Sequence, residues 1–219
     1  MFKKAEETRR RILTVALELF RQRGFEQTTM REIANESGVA LGSAYYYFDS
    51  KEALVLAFYE LASEEMHAQI EQALSDAKGL EKRLHAILDV KFEYFRPNRL
   101  FLGALFRHAA DPENALSPFS DATRHIREKD LQHFSAALEG SRLAMPGDLA
   151  AHLPKLLWLY QMGLILFWIY DNSPEQRRTA RLRDKSVALL VSALKVVAVP
   201  LLRPVRKRIV ELVEAVEMG

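Results

Sequence analysis

Residues 28–51, TTMREIANESGVALGSAYYYFDSK, constrain this chain more tightly than any other stretch. Thr29 and Glu32 have the spacing of a capping box, in which each side chain satisfies an orphan backbone N–H. A short helix is therefore predicted from Met30 to about Glu36, burying Ile33 and Ala34. Gly38 permits a tight turn, Val39 anchors it, and a second short helix is predicted from about Leu41 to Phe48. Small residues at Ala34 and Gly38 let the two helices cross closely, the demand of a helix-turn-helix. The second helix carries Tyr45, Tyr46 and Tyr47 in succession. Successive helical residues lie ~100° apart, so consecutive side chains cannot all face one core. With Ala44 and Phe48 assigned to the core, Tyr46 falls opposite it and Tyr45 and Tyr47 on its borders. The outer face is then Gly42, Ser43 and Tyr46, with Tyr45 and Tyr47 at its edges. Small residues there let a helix sink into a groove, phenolic hydroxyls bond phosphates, and the rings touch thymine methyls.

The flanking sequence fits this frame. Ile12, Leu13, Ala16, Leu17, Leu19 and Phe20 form an apolar stripe at helical spacing, which predicts a first helix over Glu6 to Arg23. Gly24 ends it and Phe25 is expected to fold back on the core. Asp49 and Ser50 are competent N-caps for a following helix. Lys51 opposes the macrodipole there, so it is either a solvated lysine or a clamp that holds a phosphate with nearby backbone N–H groups.

Residues from about Thr8 to Tyr59 resemble the DNA-binding domain of tetracycline-repressor-type (TetR) transcriptional regulators. The resemblance is carried by the helix ending in Arg23-Gly24-Phe25, by Thr28-Thr29, Ile33-Ala34, Ser37-Gly38-Val39, Gly42-Ser43-Ala44-Tyr45 and Phe48, and by Lys51-Glu52-Ala53-Leu54. It implies that the tyrosine-bearing helix is the recognition helix. It also implies DNA contacts from Ser43, Tyr45, Tyr46, Tyr47 and Lys51, with backbone contact near Thr29; Leu41 and Gly42 complete the candidate set. Two positions depart from the pattern. Ala40 stands where Ser or Thr often caps the recognition helix, a loss of ~1 kcal/mol, and Ala44 stands where a larger aliphatic is usual.

Composition limits the rest. With 219 residues, 49% hydrophobic, 27% charged and a formal net charge of +2, the chain is an ordinary globular one and not polybasic. DNA affinity must come from placement, with Lys3, Lys4, Arg9, Arg10, Arg11, Arg31 and Lys51 near the N-terminus. The absence of cysteine excludes disulfides and thiolate chemistry and fits a cytoplasmic protein. The N-terminus lacks the apolar run of a signal peptide.

Beyond Ser50 the pattern is helical throughout. Helices are predicted over Ser50 to about Ala77, Leu80 to Phe95, Asn98 to Ala109, Ser117 to Leu138, Pro146 to Tyr170, Pro174 to Val199 and Pro204 to Val216. The expected architecture is all-α: a helix-turn-helix DNA-binding domain over residues 1–50 and a larger helical regulatory domain over 51–219. The run LLWLYQMGLILFWIY, Leu156 to Tyr170, is shorter than the ~20 residues of a membrane span and contains Gln161, so it reads as a buried helix rather than a membrane element. Being apolar all round, it needs cover on all sides. The next helix has Val187, Leu190, Val191, Leu194 and Val197 at helical spacing. Together they suggest a four-helix homodimer interface through Phe167, Val187, Leu190, Val191 and Leu194, and the family resemblance implies the same. A dimer would set two recognition helices ~34 Å apart, matching a palindromic operator in double-stranded DNA. The last segment, with Arg203, Arg206, Lys207 and Arg208 before an apolar face, is expected to pack back on its own domain.

The resemblance further implies an effector cavity among the central helices. Phe92, Phe95, Phe106, Phe134 and Trp158 are candidate linings, with His108, His133 and Gln161 as polar residues inside apolar runs and Tyr94 beside them. These suggest an apolar or amphipathic small molecule, aromatic or fatty acyl. The six histidines show no i, i+4 pair and no HExxH, and neither a phosphate loop nor GxSxG occurs, so no catalytic residue, metal site or cofactor is expected. The expected function is a transcriptional regulator, a repressor whose operator binding an effector changes. The alternative is one controlled by a protein partner.

Overall fold

The computed structural model describes residues 2–109, 111 and 113–217, and the side chains of 3–106, 111 and 113–215. Among the described residues every regular element is helical. The chain forms two compact units. One comprises residues up to Glu65 together with Phe95–Arg127; the other comprises Met66–Tyr94 with the residues from Glu128 onward.

The first unit holds α1 (Phe2–Arg23), α2 (Met30–Glu36), α3 (Leu41–Tyr47), the start of α4 (Lys51–Asp76) and α6 (Arg99–Ala109). The predicted stripe of α1 is buried from Ile12 to Phe20. Gly24, at φ 87, terminates the helix in the left-handed region and lets Phe25 return against Phe20, ring centroids 5.2 Å apart. Phe101 of α6 stacks on Phe20 at 5.3 Å and meets Phe58 of α4 at 5.9 Å. Buried Asn98 accepts a 2.7 Å hydrogen bond from Arg21 Nε, so α6 begins on α1 by both packing and polar contact.

The second unit holds the rest of α4, α5 (Leu80–Phe95) up to Tyr94, α7 (Arg124–Gly140) from Glu128, α8 (Gly147–Ala150), α9 (Leu153–Tyr170), α10 (Arg177–Val197) and α11 (Arg203–Glu217). α9 is long and apolar enough to cross a membrane by length and composition. Here it buries Leu157, Trp158, Gln161, Leu164, Ile165 and Trp168 inside the unit. Arg83 ties helix ends together: its guanidinium donates to the carbonyls of Leu74 and Ala77 and to those of Ala136 and Ala137, groups left over where α4 and α7 end.

The first helix begins at Phe2 rather than at Glu6, and three further boundaries move for local reasons. The helix expected from Ser117 begins only at Arg124. Between them, side chains of Asn114, Ser117 and Thr123 take backbone partners, including Thr123 Oγ1 to the Ser117 carbonyl at 2.7 Å, and these bonds compete with helix. The single helix expected from Pro146 to Tyr170 is α8 and α9, divided before Pro154, which has no N–H to carry the helical ladder back to Ala150 and so sits in the first turn of α9. The helix expected from Pro174 is a 3-10 turn followed by α10. There Asp171 accepts from the backbone N–H and the hydroxyl of buried Thr179, both at 2.8 Å. The C-terminal α11 packs back as expected, with Arg206 buried against Asp148 at 3.0 Å.

Candidate nucleic-acid interface

The interface is built on the capping box at Thr29. Thr29 Oγ1 accepts from Glu32 N–H at 3.2 Å, and the Glu32 carboxylate accepts from Thr29 N–H at 2.8 Å. The Thr29 backbone and hydroxyl, with Arg23 3.2 Å away, hold the Glu32 carboxyl below its ordinary range. Ser37 and Gly38, the latter at φ 64, turn the chain, and Val39 N–H returns to the Ala34 carbonyl at 3.0 Å. α3 then starts at Ala40 with no side-chain cap. Thr29→Ala is expected to cost about 1 kcal/mol of stability in urea denaturation. An unchanged midpoint would show that α2 does not depend on its cap.

α3 presents the face its sequence dictates. Ala44 and Phe48 are buried, and Arg9 lies over the Phe48 ring at 4.9 Å. Tyr46 is 83% exposed and Tyr45 48%, while Tyr47 is half-buried. The Tyr46 and Tyr47 rings meet edge-on with centroids 5.2 Å apart, so Tyr47 braces the outermost ring. Gly42 is exposed with nothing within 4 Å of the position a Cβ would take, and Leu41 and Ser43 are half-buried beside it.

Lys51 occupies a different setting from either expectation. Its ammonium donates to the Phe25 carbonyl at 2.8 Å and to that of Glu26 at 3.4 Å, and it lies 4.5 Å from the centre of the Phe25 ring. The lysine thus ties the loop between α1 and α2 to the start of α4, while Ser50 Oγ caps that helix on Ala53 N–H at 3.1 Å. The two carbonyl dipoles stabilise its charge, which offsets the cost of its place at a helix N-terminus.

The expected effector residues divide. His133, Phe134, Trp158 and Gln161 are buried in the second unit, where Phe92 meets Trp168 with ring centroids 5.4 Å apart. Phe95 belongs to the first unit, its ring 6.4 Å from Phe58, and half-buried Phe106 lies in that unit as well. The side chain of His108 lies outside the described residues. Sequence reasoning missed the centre of the polar cluster. Lys91 Nζ and Asp130 Oδ1 are 2.6 Å apart with Lys91 buried; Gln161 Nε2 donates to Asp130 Oδ2 at 3.3 Å, and His133 Nδ1 stands 3.8 Å from Asp130 Oδ1. The signal was present in the spacing: Lys91 continues the Leu84, Ile87, Leu88 stripe, and Asp130 begins the His133, Phe134, Ala137 stripe.

The expected dimer residues also divide. Val187, Val191 and Leu194 are buried by their own chain, so they are not available to a partner; Leu190 is half-buried and Phe167 is exposed. The open apolar face of α10 is instead Leu182, Leu189 and Val196, and that of α9 includes Leu159, Leu166, Phe167 and Tyr170.

Known proteins share both parts of this architecture. The tetR family of bacterial regulatory proteins matches residues 12–58, and the tetracyclin repressor-like C-terminal domain matches residues 83–212. The HTH-type transcriptional regulator TtgR of Pseudomonas putida is 30% identical over 178 residues, covering 75% of this chain and 81% of that protein. The HTH-type regulator YerO of Bacillus subtilis is 35% identical over 111 residues; the match covers 49% of this chain but only 38% of YerO. A solved tetR-family regulator from Streptomyces coelicolor superposes with a TM-score of 0.66 at 22% identity, covering 96% of this chain and 89% of that one. Two matching domains in the family's order, placed on the helix-turn-helix and on the larger helical segment, assign the chain to the tetR family of helix-turn-helix transcriptional regulators.

Proposed function

We propose that this protein is a homodimeric repressor that reads a palindromic operator with α3 and releases it when a small effector enters the second unit. The observation that carries the reading is Tyr46, the most exposed of the tyrosines, on a short helix whose opposite side is fixed by Ala44 and Phe48. Residues 1–50 supply recognition and residues 51–219 supply regulation and pairing. Gly42 and Ser43 let the helix enter the major groove, Tyr46 and Tyr45 meet base edges and phosphates, and the first turn of α2, next to Thr29, turns the Met30 and Arg31 backbone N–H groups that the capping box does not use toward a phosphate. Lys51 contributes by holding the loop that carries this N-terminus. The protein acts in the cytoplasm, where its operator is.

Effector control needs only a modest coupling, ~1–3 kcal/mol. The effector would favour a conformation in which the two recognition helices no longer match the half-site spacing. Control by a small molecule is favoured over control by a protein partner because polar groups with unmet hydrogen bonds lie deep inside the second unit, out of a partner's reach.

The test begins with selection of bound sequences from a random duplex library, where an enriched palindrome is expected. On that sequence, Tyr46→Ala is expected to weaken binding by roughly 1–3 kcal/mol per half-site, with little change on random DNA. Equal losses on both would remove Tyr46 from base reading.

A further inference from the structure

The Lys91–Asp130–Gln161 cluster is incomplete as a hydrogen-bonding system. Gln161 is 1% exposed, and its Oε1 has no partner. Its amide orientation is fixed, because the Asp130 carboxylate accepts only, and the amide must turn its N–H toward it. Lys91 Nζ carries three N–H groups, of which one is met by Asp130. An acceptor and spare donors therefore hang on the two oxygens of one carboxylate, in a site where an unmet polar group is costly.

We infer that this cluster is the polar subsite of the effector pocket and that it takes a neutral hydroxyl, that of a phenol, rather than a carboxylate. The inference rests on the effector reading above. A hydroxyl both accepts and donates, so one group can accept from Lys91 and donate to Gln161 Oε1. A carboxylate satisfies Lys91 but sets a second anion against Asp130 and leaves Gln161 Oε1 facing another acceptor. An ammonium satisfies Gln161 but confronts the buried Lys91 charge. An aromatic skeleton suits the composition of the same unit, in which Phe134 of α7 and Trp158 of α9 are both buried.

Titration calorimetry on the full chain with para-propylphenol, its methyl ether para-propylanisole and para-propylbenzoate tests this. The ether keeps the oxygen and removes the donor; the benzoate adds a charge. The phenol is expected to bind roughly ten- to a hundredfold tighter than either, the difference made by meeting a buried acceptor. Gln161→Met, close in shape, is expected to bring the phenol down to the ether. Equal binding of phenol and ether to the natural chain overturns the subsite and leaves an effector pocket standing, and this comparison decides even where the variant fails to fold. Tighter binding of the benzoate overturns it too, as does a phenol preference that survives Gln161→Met. Binding by none of the three overturns the subsite and counts against the pocket itself, while operator selection judges the DNA reading separately.

Discussion

Replacing Leu166 and Leu189 with glutamate is expected to leave a folded monomer that has lost most of its operator affinity. Each of the two longest helices of the second unit has two apolar faces. On α10, Val187, Val191 and Leu194 are covered by the chain itself, whereas Leu182, Leu189 and Val196 recur every seventh residue on the other side, with Leu189 71% exposed. On α9, Leu159, Leu166 and Tyr170 follow helical spacing, with Phe167 beside them and Tyr170 61% exposed. A contiguous apolar face of this kind is rare on monomers. A seven-residue recurrence is the period that lets helices pack along their length. Gly163 sits in the α9 stripe with nothing within 4 Å of a Cβ, which leaves room for another backbone to come close. A second copy of the same face is the simplest cover, since such pairing is self-complementary about a two-fold axis. Buried glutamates opposite one another across that axis would forbid it, while in the monomer they face water and cost little. Loss of the second half-site contact is then expected to weaken operator binding by a factor on the order of 10²–10⁴. Sedimentation of the double variant decides the matter: a dimer of unchanged stability would place the interface elsewhere. Gly163→Phe is expected to act in the same direction through bulk alone.

The helix-turn-helix was legible because its determinants are local. A capping box, a left-handed glycine and an alternation of small and aromatic residues act within a few positions, and α2 runs over the predicted Met30–Glu36. The exposure of Tyr46 follows from helical geometry once Ala44 and Phe48 are buried. Lys51 was less legible because its partners, the Phe25 and Glu26 carbonyls, are set by a tertiary turn and not by spacing. The same limit explains α10. Periodicity marks Val187, Leu190, Val191, Leu194 and Val197 as an apolar stripe but cannot say whether the monomer or a partner covers it, and the β-branched face, Val187 and Val191, was taken inward. The placement of Phe95 with Phe58 depends on α6 joining the DNA-binding unit, a long-range arrangement with no trace in local pattern. Lys91 and Asp130 show the reverse situation. Each sits on an apolar stripe where a charge is anomalous, and two anomalies of opposite sign on different helices point to each other.

That pairing leads to the largest single-residue effect expected on stability. Asp130→Ala is expected to destabilise the protein by about 3–5 kcal/mol, because it leaves the Lys91 ammonium buried without a counter-charge. It also removes the acceptor for Gln161 Nε2. Lys91→Met is expected to be costly for the mirrored reason. Combining Lys91→Met with Asp130→Leu is expected to recover most of the loss, since the desolvation penalty of both charges disappears with the pair. The pH dependence follows from the carboxyl. Burial pushes its pKa up, but the attraction of Lys91 and the hydrogen bonds it receives outweigh that and hold it at about 2, below its ordinary 3.8. A folded-state pKa below the unfolded one contributes stability that is fully present above the unfolded value and is lost as the pH falls through the folded value. The gap between the natural chain and Asp130→Ala is therefore expected to be constant from neutral pH down to roughly pH 5 and to narrow only as the pH approaches the folded-state value. Urea denaturation at one protein concentration measures this gap directly. A gap that closes already near neutral pH would mean that the carboxylate is not held by Lys91. A single-variant loss no larger than that of the double variant would mean that the two charges do not depend on each other.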